Sequence, residues 1–373
     1  MDGEAVNSFL ITGGAGFIGR HLCRELLQAG ARVRVLDSLV PQVHEEGDAS
    51  PPEGVEFVRG DVRDADAVRR ALDGVDGLFH LAAEVGVGQS MYEVSRYVGA
   101  NELGTAVLLE ELARAPSVRR IVVASSMSVY GEGRYRTADG ADCDDVRRTA
   151  GSAASGWDPV GPDGAPLVPV PTDETKPVDL ASIYALSKFA QETACLVVGR
   201  AYGREAVALR LFNVFGPGQA LSNPYTGVLA IFGARLANGN RPQVFEDGRQ
   251  KRDFVHVKDV ARAFRLAMQT PAANGHVINI GSGRAYTVEG VAEMLAEALG
   301  KPQLRPLLLD KARAGDIRHC FADIGKAREL LGYAPQHTLE SSLDEITAWI
   351  RASVAVDRGE EARAELEARG LVA

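Results

Sequence analysis

Short runs of β-branched residues alternate with longer amphipathic segments from residue 8 to about residue 211. The short runs predict strands, and the segments of 3.6-residue period predict helices. The predicted strands are 8–12, 32–37, 55–59, 77–81, 120–125 and 206–211, and the predicted helices are 17–28, 64–72, 100–114 and 182–202. This alternation is typical of an α/β fold with a doubly wound parallel sheet.

The elements become shorter and mixed after residue 212. Helices are predicted at 228–237, 257–269, 287–299, 323–331 and 338–352, with strand fragments between them. We therefore expect a first domain at 1–211 and a smaller mixed α/β lobe at 212–373, some segments of which return to the sheet of the first domain. The charge-rich stretch 357–369 predicts either a solvated terminal helix or a frayed tail.

The alternation is interrupted at 131–178, where glycine, proline and aspartate accumulate and the periodicity fades. A loop of this length is uncommon inside a compact domain, so we expect a functional insertion or a lid. A surface excursion without a role is the alternative interpretation.

Composition excludes several classes of protein. Lys and Arg total 41 against 50 Asp and Glu, and the net charge of -9 has the wrong sign for binding a phosphate backbone, so nucleic acid is not an expected partner. The chain starts with acidic residues and has no apolar run of about 18 residues, so we expect a cytoplasmic protein without a membrane partner. The four cysteines lie far apart without a C-x-x-C pair, which predicts neither a disulfide framework nor a metal site.

A glycine-rich turn follows the first predicted strand. Gly13, Gly16 and Gly19 are spaced G-x-x-G-x-x-G between an apolar strand and an amphipathic helix. In a dinucleotide-binding Rossmann domain, such glycines permit a tight turn, close approach of the backbone to the pyrophosphate and close helix packing. The helix N-terminus then faces the phosphates.

Asp37 ends the second predicted strand, where an acidic residue accepts hydrogen bonds from the adenosine ribose. No Arg or Lys follows it directly, so the sequence favours NAD over NADP. Asp61 and Val62 after the third strand, and Leu81, Ala82 and Ala83 after the fourth, are further candidates for the cofactor site. For these later positions ordinary loop chemistry is an equally open interpretation.

Tyr184 and Lys188 are four residues apart at the start of a predicted helix and therefore share one face. A nearby ammonium and the positive end of a helix both favour a phenolate, so we expect a lowered pKa for Tyr184 and a role in accepting a proton from a sugar hydroxyl. Ser126 ends the fifth strand, where its hydroxyl is able to donate to the reacting oxygen. A solvated helix face and a strand-end cap are the alternatives for these residues.

These motifs resemble the extended short-chain dehydrogenase/reductase family, specifically its NAD-dependent sugar-nucleotide epimerases and dehydratases. The resemblance covers essentially the whole chain. Its further motifs are Asn101-Glu-Leu-Gly-Thr105, Leu209-Arg-Leu-Phe-Asn213-Val-Phe-Gly-Pro-Gly218, Arg252-Asp-Phe-Val-His-Val257, Ile278-Asn-Ile-Gly281 and Ala314-Gly-Asp316.

The resemblance implies that Ser126, Tyr184 and Lys188 form a catalytic triad and that Lys188 also holds the nicotinamide ribose. The expected substrate is a nucleotide-diphosphate sugar. The implied substrate residues are Asn213, Arg252 and Arg313 for the diphosphate and Val244 and Phe245 near the base. We add Met127 and Asp316 to the substrate site. We add Phe17, Ile18 and Asn101 to the cofactor site. Pairing of the two arginines with surface acids is the alternative.

The type of reaction follows from the residues after Ser126. Family members that dehydrate or decarboxylate their sugars resemble one another in placing an acidic residue there, whereas this chain has Met127 and Ser128. Neither side chain is able to shuttle a proton, so elimination loses support. We therefore expect 4-epimerisation through a transient 4-keto sugar, and a 4-keto sugar-nucleotide reductase that consumes NAD(P)H is the alternative.

Three segments look like the dTDP-L-rhamnose 4-epimerase branch, whose members make dTDP-6-deoxy-L-talose. They are Asp37-Ser-Leu-Val-Pro-Gln-Val-His44, Ala82-Ala-Glu-Val-Gly-Val-Gly-Gln-Ser-Met-Tyr92 and the start of the insertion at Gly131-Glu-Gly-Arg-Tyr135. The insertion of that branch often carries cysteine pairs, whereas this one has only Cys143, so a different sugar, such as a UDP-hexose or UDP-hexuronate, is also open. The resemblance further implies a homodimer through helices near 102–114 and 182–202. A non-catalytic protein on the same fold is the third alternative.

Overall fold

A computed structural model describes residues 7–44, 51–144, 146, 156–161, 163–353 and 356–372. The acidic start of the chain and residues 147–155 of the insertion lie outside these ranges. In chain order the strands are β1 (Ser8–Thr12), β2 (Arg32–Asp37), β3 (Glu56–Arg59), β4 (Gly77–His80), β5 (Arg120–Ser126), β6 (Tyr135–Arg136), β7 (Asp142–Cys143), β8 (Val168–Pro169), β9 (Glu205–Leu211), β10 (Asn213–Phe215), β11 (Gln243–Val244), β12 (Lys251–Arg252), β13 (Phe254–His256), β14 (Val277–Ile280), β15 (Tyr286–Thr287), β16 (Leu307–Leu308) and β17 (His319–Cys320).

The α-helices are α1 (Phe17–Gln28), α2 (Ala65–Leu72), α3 (Val87–Ser90), α4 (Val94–Tyr97), α5 (Gly104–Ala113), α6 (Ile183–Ala201), α7 (Val228–Ala237), α8 (Val257–Gln269), α9 (Val288–Ala298), α10 (Gly325–Leu331), α11 (Leu343–Ala352) and α12 (Gly359–Ala368). Short 3-10 turns occupy Met127–Tyr130, Pro271–Ala273 and Glu340–Ser342. None of the described helices combines the length and the apolar content that crossing a bilayer requires.

Seven parallel strands form the central sheet in the order β3-β2-β1-β4-β5-β9-β14. β1 pairs with β2 on one side, Phe9 opposite Val33, and with β4 on the other, Phe9 opposite Gly77. The strand order therefore reverses between β1 and β4, the switch point at which ligands bind in doubly wound sheets. This confirms the predicted fold class. β14 lies 66 residues after β9 in sequence and still joins this sheet, whereas the domain boundary at residue 211 stays a prediction.

Both faces of the sheet are covered by helices because successive strand residues point to opposite sides. Ile11 packs into a core with α1 and α8, and its neighbour Leu10 packs into a second core with α2 and α5. A third core holds the C-terminal lobe together. It is formed mainly by Phe215, Phe232, Leu295, Ile346 and Ile350 of β10, α7, α9 and α11.

The structure differs from the sequence prediction around residue 100. The predicted helix 100–114 is a π-helix at Val98–Leu103 followed by α5, and two short helices, α3 and α4, precede it. Gly104 marks the junction, where an added Cβ would lie 2.6 Å from Cγ2 of Val62. The local period of the sequence does not report this close packing, since it depends on a residue 42 positions away. The tail that we predicted as a helix or a frayed end is the helix α12.

The described part of the insertion contains a small three-stranded sheet in the order β7-β6-β8 and packs on β17 and the residues around it. Gly133 N donates to the carbonyl of His319 at 2.7 Å, and Thr172 N donates to the carbonyl of Phe321 at 2.8 Å. The described part of the insertion is therefore an ordered attachment to the C-terminal lobe.

Arg318 joins this insertion to the C-terminal lobe. Its guanidinium is fully buried and contacts three carboxylates: Asp158 of the insertion at 2.6 Å, Asp247 at 2.6 Å and Glu246 at 2.9 Å. Glu246 is as deeply buried as the arginine. Removing one partner of a buried ion pair leaves an uncompensated charge, which is more costly than losing the attraction itself.

We expect the substitution Arg318→Met to lower the free energy of unfolding by about 3–5 kcal/mol. The matched control is Arg136→Met, because Arg136 and Asp142 form an exposed pair at 2.7 Å and such pairs contribute about 0–1 kcal/mol. Urea unfolding of both variants checks the expectation. Equal losses in the two variants would contradict the role of Arg318.

Candidate active site

A large cavity lies at the carboxyl ends of the central strands, between the sheet and the C-terminal lobe. Its volume is about 630 Å³. Every residue that the sequence assigns to the cofactor or the substrate lines this cavity, with the exception of Asn101. The lining residues among them are Gly13, Gly16, Phe17, Ile18, Gly19, Asp37, Asp61, Val62, Leu81, Ala82, Ala83, Ser126, Met127, Tyr184, Lys188, Asn213, Val244, Phe245, Arg252, Arg313 and Asp316.

The glycine turn between β1 and α1 has no room for side chains. Gly13 has φ +72°, and an added Cβ would lie 2.8 Å from the backbone nitrogen of Ala82. A Cβ on Gly19 would lie 2.5 Å from the carbonyl oxygen of Gly13 and 2.5 Å from Cα of Gly14. The N-terminus of α1 begins just after the turn and faces the cavity, so the cradle fits the pyrophosphate of a dinucleotide.

Asp37 is bound to the same turn. One carboxylate oxygen accepts a hydrogen bond from Ala15 N at 3.0 Å, and the other accepts from Leu39 N at 2.9 Å. Nε2 of His44 lies 3.7 Å from the carboxylate. Asp37 is thus held at the end of β2 with its carboxylate at the cavity wall, which suits ribose hydroxyls and disfavours a phosphate.

Asn101 lies behind the cavity wall and is fully buried. Its side-chain oxygen accepts from Glu84 N at 2.7 Å, and its amide group donates to the carbonyl of Glu84 at 3.1 Å and to Oγ of Ser187 at 2.9 Å. Asn101 therefore fixes the backbone that follows β4, and it reaches the cavity only through Glu84.

Tyr184, Lys188 and Ser126 come together from α6 and the end of β5. Ser182 caps α6 by accepting from Ala185 N at 3.1 Å, which places Tyr184 in the first turn of the helix. The backbone nitrogen of Tyr184 donates to Oγ of Ser90 at 3.0 Å. The helix therefore begins in a fixed orientation, with the phenol and the hydroxyl of Ser126 at one wall of the cavity.

The pKa values of this group differ from the expectation. Burial raises the pKa of Tyr184, and the hydrogen bond with Ser126 offsets only part of that effect. The expected lowering of the Tyr184 pKa is wrong for the protein groups alone, because burial outweighs it; Nζ of Lys188 donates to Oε1 of Gln191 at 2.7 Å. Burial lowers the pKa of Lys188 to about 8, so the ammonium form still predominates at pH 7.

A buried polar chain holds Lys188 from behind. Nε2 of Gln191 donates to Oγ1 of Thr105 at 2.9 Å and lies 3.1 Å from Nε2 of His80. Nδ1 of His80 is 2.8 Å from Oγ1 of Thr12 at the end of β1. Burial lowers the pKa of His80 to about 3, so the imidazole is neutral at pH 7 and adds no second positive charge beside Lys188. Sequence analysis missed this chain, since its members are far apart in sequence.

Arg252 and Arg313, from the C-terminal lobe, line the same cavity and share one carboxylate. Nη2 of Arg313 lies 2.8 Å from Oδ2 of Asp316, and Nη2 of Arg252 lies 3.4 Å from Oδ1. Burial acts to raise the pKa of Asp316, but the charges of the two arginines outweigh it and lower the pKa to about 2. Both arginines thus pair with an acid, as the alternative interpretation expects, but Arg252, Arg313 and Asp316 all line the cavity.

The arrangement around Phe245 suits an aromatic base. The guanidinium of Arg313 lies 4.6 Å from the centroid of the Phe245 ring. Arg252 donates to the carbonyls of Lys251 and Arg318, both at 2.9 Å, which fixes its position on β12. A planar cation, an aromatic ring and a fixed second arginine together fit a nucleotide diphosphate.

Three amides at the cavity wall have a carbonyl oxygen that is buried and has no partner within the described part of the chain. They are Oδ1 of Asn213, Oε1 of Gln219 and Oε1 of Gln250. Buried polar atoms in folded proteins are nearly always hydrogen-bonded, so unpaired acceptors at a cavity wall indicate a polar ligand. Asn213 was expected from the sequence, whereas no local signal marks the two glutamines.

The described residues of the insertion do not line this cavity, and the expectation of a lid is wrong for them. Instead, α12 closes one side. Gly359, Ala362, Arg363 and Leu366 of this helix line the cavity, and none of them was expected from the sequence. The described residues contain no group of three side chains suited to hold a metal ion.

The chain matches the model of the NAD dependent epimerase/dehydratase family over residues 9–281. It is 36% identical over 359 residues to a dTDP-L-rhamnose 4-epimerase of Burkholderia thailandensis, with 94% of this chain and 96% of the relative covered. Two solved structures are also similar. A UDP-glucose 4-epimerase of Thermus thermophilus in complex with NAD has 31% identity and a TM-score of 0.73, over 93% of this chain and 100% of that one. A UDP-glucose 4-epimerase of Thermotoga maritima with UDP-glucose has 30% identity and a TM-score of 0.75, over 92% and 98%.

The fold and the glycine cradle thus define a Rossmann-type dinucleotide-binding enzyme. This chain belongs to the NAD dependent epimerase/dehydratase family, and its cofactor is NAD. The structure fits that cofactor, because the glycines at 13 and 19 let backbone segments meet closely beside a helix N-terminus that lines the cavity, and Asp37 stands where the ribose is expected.

We expect Gly19→Ala to weaken NAD binding by about tenfold or more, because the new methyl group must displace the backbone of Gly13 and Gly14. The matched control is Gly99→Ala, whose Cβ would lie 3.7 Å from its nearest neighbour, Nη1 of Arg63. The NAD content of the purified proteins and the NAD dissociation constant check the expectation. Unchanged binding in Gly19→Ala would contradict the assignment of this turn.

Proposed function

We propose that this protein is an NAD-dependent nucleotide-sugar 4-epimerase that acts on a dTDP-6-deoxyhexose such as dTDP-L-rhamnose. The observation that carries this proposal is the cavity itself. Tyr184, Lys188 and Ser126, the glycine cradle, and Arg252 and Arg313 of the C-terminal lobe all line it. A nucleotide bound at the arginines and the reacting phenol therefore share one enclosed space.

In the proposed mechanism, the phenolic oxygen of Tyr184 accepts the proton of the sugar 4-hydroxyl and later returns it. Lys188, with its ammonium buried beside the site, stabilises the phenolate form electrostatically. Ser126 donates a hydrogen bond to the sugar oxygen. When bound, NAD supplies the group that accepts a hydride from carbon 4 and gives it back to the opposite face of the sugar.

The buried pKa of Tyr184 bears on this mechanism. Since burial raises it, the phenol of Tyr184 is protonated at rest and must lose its own proton before it accepts one from the sugar; nearby positive charge favours that loss. Gln191 holds Nζ of Lys188 at 2.7 Å and so keeps the ammonium next to the first turn of α6. We propose that Lys188 provides this charge and that Gln191, His80 and Thr105 position it.

The absence of an acid or base after Ser126 favours epimerisation over elimination. Met127 and Ser128 line the cavity at this point, and neither moves a proton at neutral pH. A 4-keto sugar-nucleotide reductase remains the alternative among redox enzymes, and it differs by consuming its reduced cofactor in each turnover.

The sugar is assigned from the relatives. The relative from Burkholderia thailandensis, at 36% identity, is named for dTDP-L-rhamnose. A second candidate is a UDP-hexose 4-epimerase, because a relative from Streptomyces lividans named UDP-glucose 4-epimerase is 30% identical over 91% of this chain. Thymine and uracil differ by one methyl group, so the two candidates are separated by experiment.

The test is proton NMR in deuterated water with no added cofactor, with dTDP-L-rhamnose, UDP-glucose or UDP-glucuronate as substrate. We expect dTDP-L-rhamnose to show a changed coupling at carbon 4 without uptake of deuterium. Tyr184→Phe, which keeps the ring and removes the hydroxyl, should lower kcat by about 10²–10⁴ and leave nucleotide binding nearly unchanged.

Conversion of UDP-glucose alone would support the second candidate. If all three sugars stay unchanged until a reduced cofactor and a keto sugar are added, the epimerase proposal fails and the reductase takes its place. Full activity of Tyr184→Phe would remove Tyr184 from the mechanism.

We also propose a homodimer built from α5 and α6. Leu103, just before α5, and Leu186 and Val197 of α6 expose 54%, 42% and 54% of their surfaces, which is unusual for large apolar side chains on two neighbouring helices. We further propose a cytoplasmic enzyme of deoxysugar biosynthesis, in keeping with four free cysteines.

We expect sedimentation equilibrium to give twice the mass of 39.7 kDa for the wild-type chain and a shift toward the monomer for Val197→Glu. Val160→Glu is the matched control, since Val160 is exposed to 59% but lies in the insertion. A wild-type protein that sediments as a monomer would refute the dimer.

A further inference from the structure

The last helix of the chain returns to the cavity with one face. Gly359, Ala362, Arg363 and Leu366 are spaced i, i+3, i+4 and i+7, which puts them on the same side of α12, and all four line the cavity. Ala362 and Leu366 are buried, and the side chain of Leu366 lies 3.5 Å from the position of a Cβ on Gly88. The helix is therefore part of the cavity wall rather than a solvated end.

The segment is held on both sides of this face. Before the helix, Asp357 pairs with Arg235 at 3.2 Å, and within it Glu367 pairs with Lys311 at 2.8 Å. After the helix, the carbonyl of Leu371 accepts from Ala314 N at 2.8 Å, and Val372 forms a β-bridge with Arg313. The tail thus pairs directly with the backbone of an arginine that lines the diphosphate side of the cavity.

Arg363 differs from the other arginines of the cavity wall. Arg63, Arg235, Arg252 and Arg313 each form an ion pair with a carboxylate. Arg363 is half-buried, its Nε is fully buried, and within the described residues that atom has no hydrogen-bond partner and the guanidinium no ion pair within 4.0 Å. The protein thus supplies no described acceptor to this guanidinium, and since Arg363 lines the cavity, a ligand that brings acceptor oxygens gains affinity there.

The charge of the diphosphate side points to the same residue. Arg252 and Arg313 share Asp316, so the three groups together carry a single net positive charge. The diphosphate of a nucleotide sugar carries more negative charge than this cluster compensates. The guanidinium of Arg363 lines the same cavity and has no ion pair within 4.0 Å among the described residues, so it adds positive charge where the balance lacks it.

We propose that Arg363 of α12 is a further substrate-binding residue that donates to the phosphoryl oxygens of the nucleotide sugar. This inference rests on the proposed function, because it takes a nucleotide-diphosphate sugar as the ligand. The C-terminal tail, residues 356–372, then belongs to the substrate site, held against it by the bridge between Val372 and Arg313.

The test compares Arg363→Gln with Arg358→Gln in the full-length protein. Arg358 is exposed, lies one residue before α12 and does not line the cavity, so it matches the change in charge without the proposed contact. The probes are dTDP and UDP, measured by titration calorimetry at low and at high salt, together with the NAD content of each protein. Arg363→Lys is added as the conservative variant.

We expect Arg363→Gln to raise the dissociation constant of the better-binding nucleotide about tenfold or more and to reduce its salt dependence. Arg363→Lys should recover part of the affinity, and Arg358→Gln should bind like the wild type. With substrate, the expected change is a raised KM with a nearly unchanged kcat. Because Arg363 has no ion pair to lose, the thermal midpoint of Arg363→Gln should stay close to that of the wild type.

Wild-type affinity for the nucleotide in a folded Arg363→Gln variant would overturn the assignment. A loss of NAD with unchanged nucleotide affinity would also overturn it, since the contact would then be to the diphosphate of the cofactor. A wild-type protein that binds neither dTDP nor UDP would refute the proposed function, and this inference with it. Nucleotide binding is measured without turnover. A protein that binds the nucleotide but has no epimerase activity would therefore contradict the proposed function while the role of Arg363 is still tested.

Discussion

The close contact of backbone segments at the end of β1 constrains the rest of the site. The turn at Gly13 lies against the backbone of Ala82, and Gly19 on the first turn of α1 lies against Gly14. These contacts fix the distance between β1 and β4, where the strand order of the sheet reverses. The helix N-terminus, the end of β2 with Asp37 and the segment after β4 therefore converge on one cavity because no side chain separates them.

The cavity contains two cationic regions, Lys188 and the pair of Arg252 and Arg313, and different contacts hold each of them in place. Lys188 is buried and donates to Gln191, which in turn contacts Thr105 and a neutral His80, so the ammonium is held by uncharged partners. Arg252 and Arg313 are instead fixed by a shared carboxylate, Asp316. The first arrangement keeps a charge available for chemistry, and the second keeps two guanidinium planes in position for binding.

The sequence predicted those parts of the structure that depend on local order. Three signals were of this kind: the glycine spacing, Asp37 at the end of a strand, and the Tyr184–Lys188 pair. Each lies within a short stretch of sequence, and all of these residues line the cavity. The doubly wound sheet was likewise predictable, because the alternation of strands and helices is itself a local pattern.

The parts that the sequence did not predict depend on distant contacts. Asn101 belongs to a recognisable motif, yet its side chain binds the backbone of Glu84 instead of lining the cavity. The pKa of Tyr184 was expected to fall from its helical neighbour and rises because of burial, which no spacing reports. The sequence of the tail is rich in charge and predicted only a terminal helix or a frayed end. Its place at the cavity was not predictable, because it depends on contacts with Arg313 and Gly88, which lie more than 50 residues away along the chain.

The attachment of the insertion has a consequence for how this enzyme is able to diversify. The insertion is bonded to His319 and Phe321 and supplies Asp158 to Arg318, while the strand that contains His319 pairs with Arg252 through β12. A segment outside the cavity thus supports, through one neighbouring strand, the position of a nucleotide-side arginine. A change in the length or composition of the insertion therefore leaves the reacting groups in place but alters the support of Arg252. Substrate preference is in this way open to evolutionary change from outside the cavity.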